Sequence, residues 1–253
     1  AGRLGDHQRS YQPIAQALWS MGVGQIDGLI LSHADSDHYN AMEGLIERFS
    51  VRRFITTKDV GEHPSPSLRQ LFDRVQSQGI PIDYWNANTS ATKNDLYGII
   101  PIYPRSDTSS QPFRLASSKP KKYGAKSMSD NAKSLCLVIE YSNRRILLPG
   151  DLENPGTEVL TAGLPIDVDV LMAPHHGSLT SRQDKLIAWC SPSTIIISGS
   201  YKSLDPRVFE TYSPSGQDVL HTAKDHALQL RIEPNGSMQW YQWSENHWQK
   251  TSK

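Results

Sequence analysis

Apolar positions along the chain fall into short β-branched runs that alternate with helical patterns. IDGLILS predicts a strand, YNAMEGLIERF a helix, VRRFITT a second strand and SPSLRQLFDRVQSQG a second helix. The last of these is marked at both ends, with Ser65 suited to the N-cap, Pro66 to the first helical position and Gly79 to the C-cap. Downstream, IPIDYW, LYGIIPIYP, SLCLVIEY, RRILLPG, VDVLMAP and TIIISGS read as strands, with helices near residues 154–162 and 180–190. MQWYQWSENHWQ reads as a closing hairpin turning at SEN, where Trp240, Trp243 and Trp248 suit cross-strand packing better than base stacking. The pattern is that of an α/β chain. Residues 105–130 interrupt it with Ser, Pro and Lys and no periodicity, and are expected to form a flexible insertion over one face of a single domain spanning residues 1–253.

Composition narrows the function classes. The 253 residues carry 26 basic and 26 acidic side chains, so no overall positive field draws the chain to nucleic acid or an anionic membrane, and any such role must be local. No apolar run approaches the roughly 20 residues of a membrane span. AGRLGDHQRS lacks the apolar core of a signal peptide, and a soluble chain is expected. Cys136 and Cys190 both lie in apolar segments and read as packed thiols, not as a disulfide scaffold.

The chemistry concentrates in ILSHADSDHYNAMEG, where His33, Asp35, Asp37 and His38 follow an apolar run and precede a helical pattern. Alternate residues of an extended segment project to one side, so His33, Asp35 and Asp37 can converge while His38 enters the helix start. Imidazole with carboxylate suits zinc, manganese or iron. A calcium loop fits poorly, because Tyr39 occupies the next alternate position and imidazole is a poor calcium partner. The bland alternative is an acidic helix N-terminus. Two further strand ends weigh against it: RRILLPGDLE places Asp151 past an apolar run, and VDVLMAPHHGS places His175 and His176 past another. Singly, Asp151 reads equally well as a helix cap and either histidine as a turn residue; three such strand ends together point to a metal site.

These residues resemble the metallo-β-lactamase fold and, within it, the C-terminal domain of ComEC-type DNA internalisation competence proteins. The resemblance is carried by LSHADSDHYNAMEGL, NAKSLCLVIEY, ILLPGDLE, LMAPHHGSLTS and IIISGS, and spans roughly residues 3–232. It implies an αββα sandwich around a two-metal centre holding Mn²⁺ or Zn²⁺. His33 and Asp35 would hold one ion, Asp37 and His38 the other, Asp151 would bridge, and either His175 or His176 would complete the shell. HADSDH carries Asp35 where the fold's signature has its second histidine, as in the competence branch. The chain departs from the family in three places. The usual third histidine has no counterpart, its neighbourhood being Asn131 to Ser134; the His-Pro after the IIISGS strand is replaced by Asp205 and Pro206; and the first β-hairpin, with its DVGQGD-like strand, is expected to be absent.

The resemblance further implies a metal-dependent DNase that degrades the non-imported strand during DNA uptake, built as the soluble part of a larger membrane channel protein and facing the periplasm or exterior. As an isolated domain it is expected to be monomeric. Two divalent ions can activate a shared water and neutralise charge on a phosphoryl oxygen. Asp37 would orient that water, and the histidine of the pair not on metal would supply an acid. Ser178 is a candidate phosphate contact, though turn formation is its commoner use. Lys119, Lys121, Lys122 and Lys126 around Tyr123 offer a local basic patch for single-stranded DNA. Two other readings stay open: a different two-metal hydrolase such as a phosphorylcholine esterase or lactonase, and a degenerate module that binds DNA without cleaving it.

Overall fold

The computed structural model describes residues 10–62, 64–93, 96–105, 128–245 and 247–251, and the chain divides into two compact units, Ala1–Asn86 and Ala87–Lys253. Residues 106–127 of the predicted insertion, with Lys119, Lys121, Lys122, Tyr123 and Lys126, lie outside the described residues.

The first unit opens on α1 (Gln12–Ser20) and alternates short parallel strands with helices: β1 (Gln25–Ile26), β2 (Leu29–Ile30), α2 (Ser36–Tyr39), α3 (Met42–Ile46), β3 (Ser50–Val51), β4 (Phe54–Thr56), α4 (Lys58–Glu62), α5 (Pro66–Ser77) and β5 (Ile82–Tyr84). IDGLILS and VRRFITT do not each form one strand. Both split at a polar pair, Asp27–Gly28 in one and Arg52–Arg53 in the other, so that β1 pairs with β3 and β2 with β4 as separate ladders. The arginines turn outward at the break to Asp27, at 3.5 Å, and Asp83, at 3.3 Å. The predicted helix YNAMEGLIERF is likewise shorter, reduced to α3 behind the separate turn of α2.

Helix α5 follows its sequence signals. Ser65 Oγ accepts the Leu68 N–H at 3.3 Å, Pro66 fills the first turn, and Gly79 stands at φ 66°. There Gly79 N donates to Gln76 O and Ile80 N to Val75 O, the paired bonds of a Schellman stop. Leu68, Leu71, Phe72 and Val75 recur at helical spacing and pack on Leu31, Met42, Ile46 and Phe54. Full burial of Phe54 and of Leu68 stabilises the unit by about 1.5–3 kcal/mol each.

The second unit is built on a seven-stranded sheet of order β12-β11-β10-β9-β8-β7-β6. β6 (Thr92–Lys93), β7 (Tyr97–Tyr103), β8 (Cys136–Tyr141) and β9 (Arg144–Leu148) form an antiparallel meander. From β9 onward the sheet is parallel: α6 (Gly156–Thr161), β10 (Val170–Met172), α7 (Gln183–Cys190), β11 (Thr194–Ile197), α8 (Pro206–Tyr212) and β12 (Asp218–His221). The strand ends of β9, β10, β11 and β12 therefore share one edge of the sheet, which is where ligand sites are built in such arrangements. After α9 (Thr222–Asp225), the chain closes with β13 (Leu228–Ile232), β14 (Met238–Ser244) and β15 (His247–Lys250) as an antiparallel sheet. Trp243 opposes Trp248 with ring centroids 5.4 Å apart, and Trp240 is buried against Val170 and Leu220, so these aromatics pack the hairpin as their spacing predicts. Cys136 and Cys190 are buried free thiols; burial pushes both upward, Cys190 to about 12, which keeps them protonated and inert. Among the described residues no helix is long and apolar enough to cross a membrane.

Candidate functional site

In the first unit the ligand-type residues sit in the turn between β2 and α2. His33 is buried at 1 % exposure, and its Nε2 lies 3.6 Å from Asp35 Oδ2. The extended geometry expected through Asp37 ends at Asp35, because α2 begins at Ser36. Asp37 and His38 are thus helical neighbours, with Nε2 to Oδ2 at 3.8 Å. Asp35 holds the N-cap position without a side-chain cap bond, so its carboxylate is not consumed by the helix. Ser32 Oγ lies 3.0 Å from His33 Nδ1 and 3.3 Å from His38 Nδ1. A hydroxyl has two lone pairs and can accept from both Nδ1–H groups, in which case each ring turns Nε2 toward its neighbouring carboxylate.

In the second unit Asp151 follows β9 and is buried at 4 % exposure. It does not cap α6, whose N-cap is Pro155. Its Oδ2 lies 3.9 Å from His175 Nε2 and 3.8 Å from His176 Nε2. The two histidines occupy a 3₁₀ turn after β10 in which three consecutive residues are left-handed, His175 at φ 48°, His176 at 54° and Gly177 at 85°. Side chains avoid that region at a cost of about 1–2 kcal/mol per residue. Such strain is characteristic of backbone held for function. A Cβ on Gly177 would also stand 2.8 Å from Ile197 Cγ2, so glycine is required there twice over.

His176 Nδ1–H donates to Ser198 O at 2.8 Å, which fixes the proton on Nδ1 and leaves Nε2 as a lone pair beside Asp151. His175 is set differently: its Nδ1 faces Glu153 Oε2 at 3.7 Å. Ser178 Oγ accepts Thr180 N–H at 3.3 Å and lies 2.8 Å from Thr180 Oγ1, the geometry of a turn hydroxyl. Asp205 caps α8 by accepting Arg207 N–H and is clamped by the Arg207 guanidinium, which holds its carboxyl at about 2. The four imidazole–carboxylate separations, 3.6 to 3.9 Å, exceed hydrogen-bond length yet approach the ~3.4 Å at which two N/O ligands stand on one tetrahedral ion. The donor chemistry of each unit therefore fits divalent metal.

The strand-end edge of the second unit is braced by fully buried His221. Its Nδ1 accepts Ala223 N–H at 3.1 Å, so the proton is on Nε2 and donates to Ser203 Oγ at 3.0 Å; Ser203 in turn donates to Ser200 O. Burial lowers the His221 pKa below its ordinary value. The unfolded chain then binds the extra proton first, so stability present above an unfolded pKa of about 6.5 is lost as pH falls toward the folded value. Denaturant midpoints taken between pH 7.5 and 5.5 should fall more steeply in the wild type than in His221→Gln. Parallel curves would remove His221 as a contributor.

Residues 7–119 match the model of the Metallo-beta-lactamase superfamily, and the chain is similar to two bacterial competence proteins. Fold class and donor set are those of a metal-dependent hydrolase. "ComE operon protein 3" of Bacillus subtilis (strain 168) is 28 % identical over 225 residues, covering 88 % of this chain and 25 % of the relative. "Competence protein ComA" of Neisseria gonorrhoeae is 24 % identical over 229 residues, covering 89 % and 27 %. The chain thus spans about a quarter of the length of these relatives. Among solved structures, a protein of Parabacteroides distasonis ATCC 8503 named as a metal-dependent hydrolase aligns with a TM-score of 0.47 at 15 % identity, over 79 % of this chain and 77 % of that one. CmlA, a diiron β-hydroxylase from Streptomyces venezuelae, aligns with a TM-score of 0.44 at 12 % identity, over 78 % and 44 %.

Sequence reading missed three residues here: Ser32, Glu153 and Ser198. Ser32 and Glu153 stand within two positions of predicted ligands, and proximity alone could have raised them. Ser198 acts through its backbone carbonyl, which no side-chain pattern reports.

Proposed function

We propose that the protein is a two-metal phosphodiesterase that cleaves DNA, with single strands preferred, as the outward-facing part of a larger membrane protein for DNA uptake. The observation that carries the hydrolase reading is the repeated placement of imidazole Nε2 against carboxylate at 3.6 to 3.9 Å at strand ends. The choice of DNA rests on the likeness to a protein named for competence. In the first unit His33, Asp35, Asp37 and His38, and in the second Asp151 and His176, would hold divalent metal, the His176 tautomer leaving its Nε2 for that role.

When bound, two divalent ions supply charge neutralisation at the phosphoryl oxygens and lower the pKa of water. Asp37 orients the attacking water and takes its proton while the water oxygen bonds to phosphorus. The bond from phosphorus to the departing sugar oxygen breaks, and His175, starting as the imidazolium, gives that oxygen its Nε2 proton and returns to the neutral Nδ1–H ring. Solvent restores both groups. Incubation of the protein with Mn²⁺ or Zn²⁺ and linear DNA, beside a panel of small phosphate and carboxylic esters, tests this reading. Turnover of esters alone would favour the esterase or lactonase alternative, for which the zero net charge speaks.

With 26 basic and 26 acidic side chains the chain has no net positive charge to grip duplex DNA along its length, so DNA contacts are expected to be local and activity on DNA should fall steeply with salt. Replacing Lys119, Lys121 and Lys122 by Ala should weaken DNA binding and reduce the log–log salt slope by about 2, at roughly 0.7 per lost single-strand phosphate contact. Hydrolysis of a small chromogenic phosphodiester should be unchanged. Equal loss of both activities would make the loop structural.

A further inference from the structure

The two adjacent histidines differ in what stands behind them, and the difference assigns a residue that neither the relatives nor the sequence motifs point to. His176 Nδ1 is held by the carbonyl of Ser198 at 2.8 Å. His175 Nδ1 is buried and makes no hydrogen bond, and Glu153 Oε2 is 3.7 Å away. Glu153 is itself anchored. Ser129 Oγ donates to its other oxygen, Oε1, at 2.7 Å, and the same Ser129 Oγ accepts Ala132 N–H at 3.1 Å at the start of the Asn131–Lys133 turn. Ser129 therefore has its hydroxyl hydrogen committed to Glu153 and its lone pair to the backbone, so the carboxylate cannot swing away without breaking both.

We propose that Glu153 is a positioning residue that selects the Nδ1–H tautomer of His175 and holds its ring so that Nε2 is presented on the side of Asp151. A side-chain movement of about 0.8–1.0 Å closes the 3.7 Å gap to a charge-assisted hydrogen bond. With Nδ1–H given to Glu153, the ring turns about a fixed axis and only Nε2 reaches the reacting side. His176 takes the metal through the same atom of its own ring, but its partner is a neutral carbonyl. The partner behind each ring is therefore different, a carboxylate for His175 and a backbone carbonyl for His176. This inference rests on the hydrolase reading for its kinetic half, and on ring chemistry alone for the other.

The test uses the whole chain labelled with ¹⁵N-histidine and loaded with Zn²⁺, with His175→Gln to assign the ring resonances. In the wild type, the His175 nitrogens should read as Nδ1–H with an unprotonated Nε2. In Glu153→Leu, checked for folding by thermal melt, they should shift toward the Nε2–H form that a free imidazole favours, while those of His176 stay in place. Kinetically, Glu153→Leu should lose about 10–100-fold in kcat on a phosphodiester with an alkoxide leaving group, with KM nearly constant and less than a few-fold effect on a nitrophenyl ester, whose leaving group needs no proton. Glu153→Asp should recover part of the alkoxide activity. An unchanged His175 tautomer in Glu153→Leu, or equal losses on both leaving groups, would overturn the proposal. A wild type that hydrolyses neither ester sinks the hydrolase reading instead, and the tautomer measurement still decides the role of Glu153.

Discussion

Asp151→Asn should leave the protein folded and abolish hydrolysis. Under the proposed mechanism the carboxylate would help hold two like-charged ions; the amide keeps the shape but removes the charge that would offset their repulsion, so binding of at least one ion should be lost. Loss of at least 10³-fold in kcat is expected, in the range seen when a principal electrostatic element of a site is removed. Asp151 is buried at 4 % exposure and caps no helix, so Asn costs no cap. Because burial of a carboxylate is unfavourable without a cation nearby, the metal-free mutant should melt no lower than the metal-free wild type. Wild-type turnover in the mutant would take Asp151 out of the site and the two-metal mechanism with it. The measurement requires only a thermal melt and a nuclease assay in one metal buffer.

The second large effect is thermodynamic. At saturation the chain should bind two divalent ions, with manganese competing well against zinc because half of the proposed ligands are carboxylates and none is a thiolate. An ion present at about 100 times its Kd stabilises the folded state by about 2.7 kcal/mol. For a chain of this size each kcal/mol raises Tm by roughly 2–4 °C, so one site should lift the melt by about 5–10 °C, reversibly on chelation. With His176 as the proposed ligand, His176→Ala should reduce the stoichiometry, whereas His175→Ala should not. Elemental analysis that finds no ion at saturating Mn²⁺ and Zn²⁺, together with an unmoved melt, would exclude the metal reading.

What could be read in advance divides along the range of the forces involved. The stop and start of α5 were legible because Ser65, Pro66 and Gly79 act on backbone groups within a few residues of themselves. The seven-stranded sheet was foreseen from β7 to β11, since long β-branched runs are unambiguous, but its edge strands β6 and β12 were not. In the first unit the strands are two or three residues long, and the split at Asp27–Gly28 and Arg52–Arg53 depends on which partners lie alongside. The same holds for the ligands. His33 and Asp35 obeyed the alternation of an extended segment; Asp37 did not, because the helix begins one residue earlier than its own side chain suggests. What stands behind the His176 ring was illegible in principle, being a carbonyl 22 residues away.

The three left-handed residues from His175 to Gly177 carry a further consequence for the order of events at the site. A loop that must rearrange to receive an ion gives up binding free energy to its own ordering, and its capture rate is set by how often the receptive shape is visited. Here the receptive shape is already imposed on the backbone of the second unit, by Ile197 crowding Gly177, by His175 N–H on Gly150 O and by Ser178 N–H on His175 O. The imidazoles are aimed while the polypeptide folds, not when the ligand arrives. Association at this end should therefore be governed by diffusion and by water exchange on the incoming ion, and the slow step of loading, if one is seen, belongs to residues elsewhere in the chain.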